Sequence, residues 1–149
     1  MIRQALGRAV AGYVFVDAGL PDGQPRASGP FAAMLRELHA RGERFPNWSD
    51  AVLREVVPDA AQRARLLSEL RPQPWAFWTA PVPVFAGWPD APCGYLRFGA
   101  NPAYDAAWAA ATAAGWPRRR LEGGHFLPLV DPAAVAEALL AVVDELQRH

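Results

Sequence analysis

The residues of this chain that could do chemistry gather at three places. Leu121-Glu122-Gly123-Gly124-His125 sets an imidazole in a glycine turn between a predicted strand and a predicted helix. A neutral imidazole takes up and returns a proton near pH 7 without much tuning, and Gly123-Gly124 permits a tight turn and close approach of a substrate. The same histidine is equally compatible with a loop hydrogen bond and no chemistry. A general base needs an acid to orient it, and two acids stand in suitable positions. Asp17 ends a predicted strand, and Asp105 lies a few residues beyond the next one. Each also has a simpler use: Asp17 caps the turn Ala18-Gly19-Leu20-Pro21, and Asp105 serves the dipole of a first helical turn. The third place is aromatic: Trp75, Phe77, Trp78, Phe85 and Trp88 form either an apolar pocket wall or the core of a small subdomain.

Other chemistries are excluded. The histidines are His39, His125 and His149, with no pair at metal-ligand spacing. No glycine-rich phosphate loop follows a strand, so neither a metal nor a nucleotide cofactor is expected. Cys93 is the only cysteine, which rules out an internal disulfide. Fifteen basic and fifteen acidic side chains give a formal net charge of zero, which argues against nucleic acid or an anionic membrane as partner. The run Arg118-Arg119-Arg120 reads as an exposed loop or strand start, not a phosphate site. Every basic side chain is arginine, and alanine is abundant while isoleucine occurs once, at Ile2; this bias fits a GC-rich, bacterial coding sequence. Met1–Val10 lacks the apolar core of a signal peptide, and no run approaches a membrane span. The expectation is a soluble cytoplasmic protein.

Three strands are expected to position these residues: Gly12–Ala18, nearly all apolar and so buried on both faces; Gly94–Gly99; and Arg118–Leu121. Each is followed by turn residues and then a helical region, the alternation of a parallel βα sheet. Asp131-Pro132 supplies an N-cap and first-turn proline for a helix with Val135, Leu139, Val142, Val143 and Leu146 on one face. Asn101-Pro102 opens another, which runs to Gly115, and Met1–Ala9 resembles the tail of a third. Between the first two strands lie eleven of the fifteen prolines. Short helices are expected there at Phe31–Ala40, Asp50–Val56 and Asp59–Leu70. Pro72–Pro83 reads as irregular, because proline fixes φ and removes a donor. The segment 21–91 is far longer than a crossover needs and is read as a helical cap inserted into one domain, 1–149.

The order of these parts resembles the C-terminal half of an α/β-hydrolase-fold protein, of the small esterase-like bacterial kind. The likeness rests on Val14-Phe15-Val16-Asp17-Ala18-Gly19-Leu20-Pro21, the Trp- and Pro-rich insertion, Pro92-Cys93-Gly94-Tyr95-Leu96-Arg97-Phe98, Gly115-Trp116-Pro117, and Gly123-Gly124-His125 ahead of Asp131-Pro132. It covers nearly the whole chain. It implies an α/β fold with a short parallel sheet of about three strands, flanking helices and a cap. It also implies that His125 matches the family's catalytic histidine. The family's acid usually follows the penultimate strand, where this chain has Gly99-Ala100-Asn101 with Asp105 nearest; some members carry it one strand earlier, where Asp17 stands, and Asp17 is preferred.

The resemblance further implies hydrolysis of an ester or amide of an apolar small molecule, and if the aromatic residues form a pocket wall, Trp75, Phe77, Trp78 and Trp88 are those expected against the substrate. The family's nucleophile elbow, G-x-S-x-G, is absent. Ser28, Ser49 and Ser68 all fall in the insertion, and Cys93 precedes its strand. The nucleophile is therefore expected from outside this chain, which alone should be inactive. The Tyr13–Asp17 strand edge is then expected to pair with a second chain or a second copy. The alternatives are a non-catalytic remnant that binds a ligand or protein through the cap and that edge, or a sequence whose Met1 is an internal start.

Overall fold

A computed structural model describes residue 7 and residues 9–148. The helical tail expected at Met1–Ala9 falls almost wholly outside them, as does His149. The described residues divide into two compact units, one of residues 9–20 and 85–148 together with Gly7, the other Pro21–Val84.

The first unit is a three-stranded parallel sheet in the order β1-β2-β3, with β1 Tyr13–Val16, β2 Cys93–Phe98 and β3 Arg118–Leu121. Tyr13 pairs with Cys93 and Val16 with Leu96, while Tyr95 pairs with Arg118 and Phe98 with Leu121. Every residue of central β2 is buried, whereas β1 is only half-buried along its length. The expectation that β1 would be the doubly buried strand is thus corrected. Its apolar run is real, but a strand second to none in hydrophobicity is still half-covered when it lies at the edge of the described sheet.

Alternation along β2 sends its side chains to two faces. Tyr95 meets Ala107 and Ala111 with Phe15, Leu20, Trp108 and Trp116 around them, while Leu96 and Phe98 meet Val135 and Ala138 with Val16, Leu121, Leu127 and Leu139. Two helices provide these surfaces, Asp105–Ala113 and Pro132–Leu146. The first follows a 3-10 turn, Pro102–Tyr104, and is succeeded by Gly115 at φ 68°, the left-handed residue that ends a helix. In the second, Asp131 caps Ala134 N as its Asp-Pro start predicts. A short helix, Leu127–Val130, joins β3 to it. In chain order the helices of the described residues are α1 Gly29–Ala40, α2 Asp50–Leu53, α3 Ala60–Glu69, α4 Trp75–Thr79, α5 Asp105–Ala113, α6 Leu127–Val130 and α7 Pro132–Leu146.

The second unit holds α1 to α4. Ser49 and Asp59 cap α2 and α3 through Val52 N and Gln62 N. Buried Arg63 ties this region together, donating to Asp50, to the Val57 carbonyl and to the Pro58 carbonyl at 2.7, 2.8 and 2.7 Å. The helix α4 corrects the irregular reading of Pro72–Pro83. Pro74 stands at its N-cap, where a missing N–H costs nothing, and Pro81 lies just past its end, so the prolines frame one turn without interrupting it.

Two outcomes follow from the packing of β2. A Cβ at Gly94 would overlap Val142 Cγ1 and sit 3.2 Å from the Pro117 carbonyl oxygen. Gly94→Ala is expected to lower unfolding free energy by about 1–3 kcal/mol, whereas Gly19→Ala, in open space, stays within about 0.5 kcal/mol; urea titration of both variants checks this. Burial pushes the Cys93 thiol up to about 11 from an ordinary 9.0. Above pH 9 the unfolded thiol therefore releases its proton before the folded one, so stability present at neutral pH falls as pH rises toward 11. Melting temperatures between pH 8 and 11 should decline less steeply in Cys93→Ala; an identical slope would contradict the assignment.

Candidate active site

The site forms where the chain leaves the three strands. After Val16 the backbone turns through Asp17 at φ 43°, a left-handed conformation that aspartate tolerates better than most residues. The Asp17 N–H donates to the Leu96 carbonyl at 2.7 Å, which continues the β1–β2 ladder to the turn itself. The side chain is 1% exposed, and both of its oxygens are bonded. Oδ1 accepts from Phe98 N at 3.0 Å, and Oδ2 accepts from His125 Nδ1 at 2.9 Å. One residue on, the Ala18 carbonyl accepts the Tyr95 hydroxyl.

The histidine loop is held by backbone contact. Gly99, at φ 55°, donates to the Leu121 carbonyl at 2.8 Å, and a Cβ there would strike the Gly123 carbonyl oxygen. Gly123 in turn has φ 134°, with Leu127 Cδ1 only 2.9 Å from where its Cβ would stand. The loops after β2 and β3 therefore touch with no side chain between them, and their glycines are what permits it.

His125 is 57% exposed at its side chain, against the buried acid. With a carboxylate as acceptor, Nδ1 carries the proton and the lone pair falls to Nε2, which has no hydrogen-bond partner among the described residues. A buried acid that fixes the tautomer of a histidine in this way leaves the other ring nitrogen as the one able to accept a proton. Tyr104 stacks on the same imidazole, with ring centroids 5.9 Å apart at 28°, and Phe126 approaches it edge-on at 6.4 Å. Burial, and then the Asp17 charge, raise the Tyr104 phenol above its ordinary value, so it is neutral at physiological pH.

Asp105 is the acid that the structure does not bring to His125. Its carboxylate pairs with Arg97, and Arg97 also donates to the Asn101 carbonyl at 2.9 Å. Asp105 starts α5 on the Tyr95–Arg97 face of β2, whereas Asp17 follows β1 directly in the ladder. The aromatic residues divide as well. Trp88 packs in the sheet unit against Tyr13, Phe15 and Phe85. Trp75, Phe77 and Trp78 belong to the Pro21–Val84 unit, where Trp78 contacts Phe31, Phe45 and Phe77 and Trp75 stacks on His39. Trp75 and Trp78 line a cavity of about 510 Å³ with Leu35, Leu38 and Phe45, while Phe77 carries the Arg26 guanidinium over its ring. The single expected cluster is therefore two, one in each unit.

The hydroxyls and the thiol have local roles. Ser49 caps α2, and Ser68 donates to the Arg65 carbonyl. Cys93 is the first residue of β2 and not ahead of it, at the end opposite Asp17 and His125. No group of acidic, histidine or cysteine side chains among the described residues is arranged to hold a metal. None of their helices is long and apolar enough to cross a membrane. Sequence reasoning missed Tyr104 and Arg97. The arginine inside an otherwise apolar strand was a visible signal, and Tyr104 gave none.

Removing the acid should be felt in stability. Asp17→Ala leaves the buried Phe98 N–H without its acceptor, and a loss of about 1–3 kcal/mol is expected. Asp17→Asn, which keeps an acceptor oxygen, should lose less; equal stability of wild type and Asp17→Ala in denaturant titration would contradict the bonding described.

The model of the alpha/beta hydrolase family matches residues 1–138. No curated protein and no solved structure matches the chain. The parallel sheet, its flanking helices and the family match lead to one conclusion: the chain belongs to the alpha/beta hydrolase family.

Proposed function

We propose that this protein carries the acid–base half of a Ser/His/Asp-type hydrolytic site, in which His125 is the general base and Asp17 the group that orients it. The observation that carries this reading is the 2.9 Å bond between His125 Nδ1 and a buried Asp17 carboxylate, with no hydrogen bond to Nε2 among the described residues. A base so placed takes a proton from a hydroxyl nucleophile as that hydroxyl attacks a carbonyl, and returns it to the leaving group. The sheet unit has no serine, and its one thiol stands at the far end of β2. The nucleophile and the oxyanion donors accordingly come from polypeptide outside these residues, pairing along the outer edge of β1 at Val14–Val16. The substrate class is an ester or amide of an apolar small molecule.

A second reading, a non-catalytic module that binds a ligand or protein, is favoured by that same want of a nucleophile. The two separate in one experiment. The chain is assayed on p-nitrophenyl butyrate alone and together with any polypeptide encoded immediately upstream that bears G-x-S-x-G. Alone it should turn over no faster than free imidazole. In the completed protein, His125→Ala and Asp17→Asn should each lower kcat by about 10²–10⁴-fold. An unchanged rate in His125→Ala would sink the assignment, and the absence of any such upstream segment favours the second reading.

A further inference from the structure

We infer that Tyr104 is a positioning residue for His125, held over the imidazole by a clamp made of Arg97, Asn101 and Asp105. The inference rests on the reading of His125 as a base oriented by Asp17, and extends it to the side of the ring that Asp17 does not touch.

The argument begins with a buried charge. Arg97 lies in the central strand and is 5% exposed, and a guanidinium is costly to bury unless its donors are bonded. Its hydrogen bonds go to the Asn101 carbonyl and to the Asp105 carboxylate. These are the two ends of one five-residue segment, and Tyr104 lies inside it. Within the segment the Asn101 side chain accepts from Ala103 N at 3.0 Å, and Tyr104 N donates to the Asn101 carbonyl at 3.1 Å, so the turn is rigid between its anchors. Arg97 Nε, by contrast, has no partner among the described residues. The arrangement favours holding that turn over satisfying the arginine.

What the turn delivers is an aromatic ring. Tyr104 forms an offset stack with the imidazole, its plane inclined by 28°, while its hydroxyl makes no hydrogen bond among the described residues. The ring and not the hydroxyl is therefore the working part. A half-exposed histidine has no packing on its solvent side to stop rotation about its side-chain torsions. A flat ring against one face removes that freedom and keeps water from the Nδ1–H···Oδ2 bond, which strengthens as its surroundings lose water. Asp105, one of the two acids that the sequence offers to His125, thus acts on it indirectly, through Arg97 and Tyr104.

The test reads the histidine itself and needs no substrate. In the full 149-residue chain labelled with nitrogen-15, the His125 Nδ1 proton is sought downfield of the amide envelope, with His39→Gln and His125→Gln as assignment controls. Wild type should show the resonance, and Asp17→Asn should abolish it. Tyr104→Phe should retain it, since the ring is kept. Tyr104→Ala should lose it through exchange with water while the amide spectrum elsewhere stays that of the folded protein. Asp105→Asn, which loosens the clamp without removing the buried arginine, should broaden it. A resonance of wild-type width in Tyr104→Ala would overturn the positioning role and leave the His125–Asp17 pair standing. A wild-type spectrum with no such resonance, and ring nitrogen shifts that Asp17→Asn does not alter, would overturn the pair and this inference together.

Discussion

The carboxylate of Asp17 is the constraint on which the rest of this architecture turns. A charge that is 1% exposed must have its oxygens bonded, or the fold bears a cost of several kcal/mol. Its partners are a backbone N–H at the end of β2 and an imidazole on the loop after β3. The ends of all three strands are therefore tied at one side chain. The tie needs those ends close together, and this explains the glycines. Gly99 and Gly123 meet backbone to backbone, so the histidine loop lies near enough to β2 for His125 to reach the acid that follows β1. The Tyr95 hydroxyl on the Ala18 carbonyl holds the same turn from the other face of the central strand.

Arginine fills its structural roles here through geometry as much as charge. Arg63 satisfies a carboxylate and two carbonyls at once, and Arg97 reaches a carboxylate and a carbonyl at opposite ends of one turn. A planar fork of five donors suits such bridging, and an ammonium on a flexible stem does not. The use of arginine throughout, which the sequence suggests to be a compositional accident, has been put to specific structural work at these two buried positions. The alanines of α5 serve similarly. Ala107 and Ala111 are buried against Tyr95, and their small side chains let the helix lie close over a bulky strand residue.

Much of the fold was legible because its signals are local. β1 and β2 declare themselves by largely apolar runs bounded by turn residues, β3 only by its place between Pro117 and the glycine turn, and Asp131-Pro132 marks the start of α7 through a cap and a proline that need no tertiary context. The Gly-Gly-His turn was legible for the same reason. What failed depends on neighbours. Hydrophobicity made Tyr13–Val16 resemble a strand buried on both faces, but coverage is set by what packs against it. Prolines made Pro72–Pro83 look irregular, though their spacing leaves room for α4 between them. The aromatic residues from Trp75 to Trp88 are close in sequence yet fall in separate units. Between Asp17 and Asp105 the sequence could rank but not decide, because the deciding fact is a bond across more than a hundred residues of chain. Tyr104 was invisible altogether, since stacking on a histidine leaves no periodicity to read.

The asymmetry of the pair bears on the chemistry proposed for it. An acid at 1% exposure beside an imidazole at 57% is dry on one side and wet on the other. The dry side fixes which nitrogen carries the proton, and the wet side leaves the lone pair of Nε2 accessible. Orientation and access are usually in competition, because packing that immobilises a histidine also encloses it. Here the immobilising contacts come from below through Asp17 and from one face through Tyr104, so neither closes the edge at which a proton would arrive. A histidine kept only for the stability of its loop would gain from burial of that edge as well. That Nε2 has no hydrogen-bond partner among the described residues while Nδ1 is held by a buried acid is the geometric support for the proposal that His125 is a base.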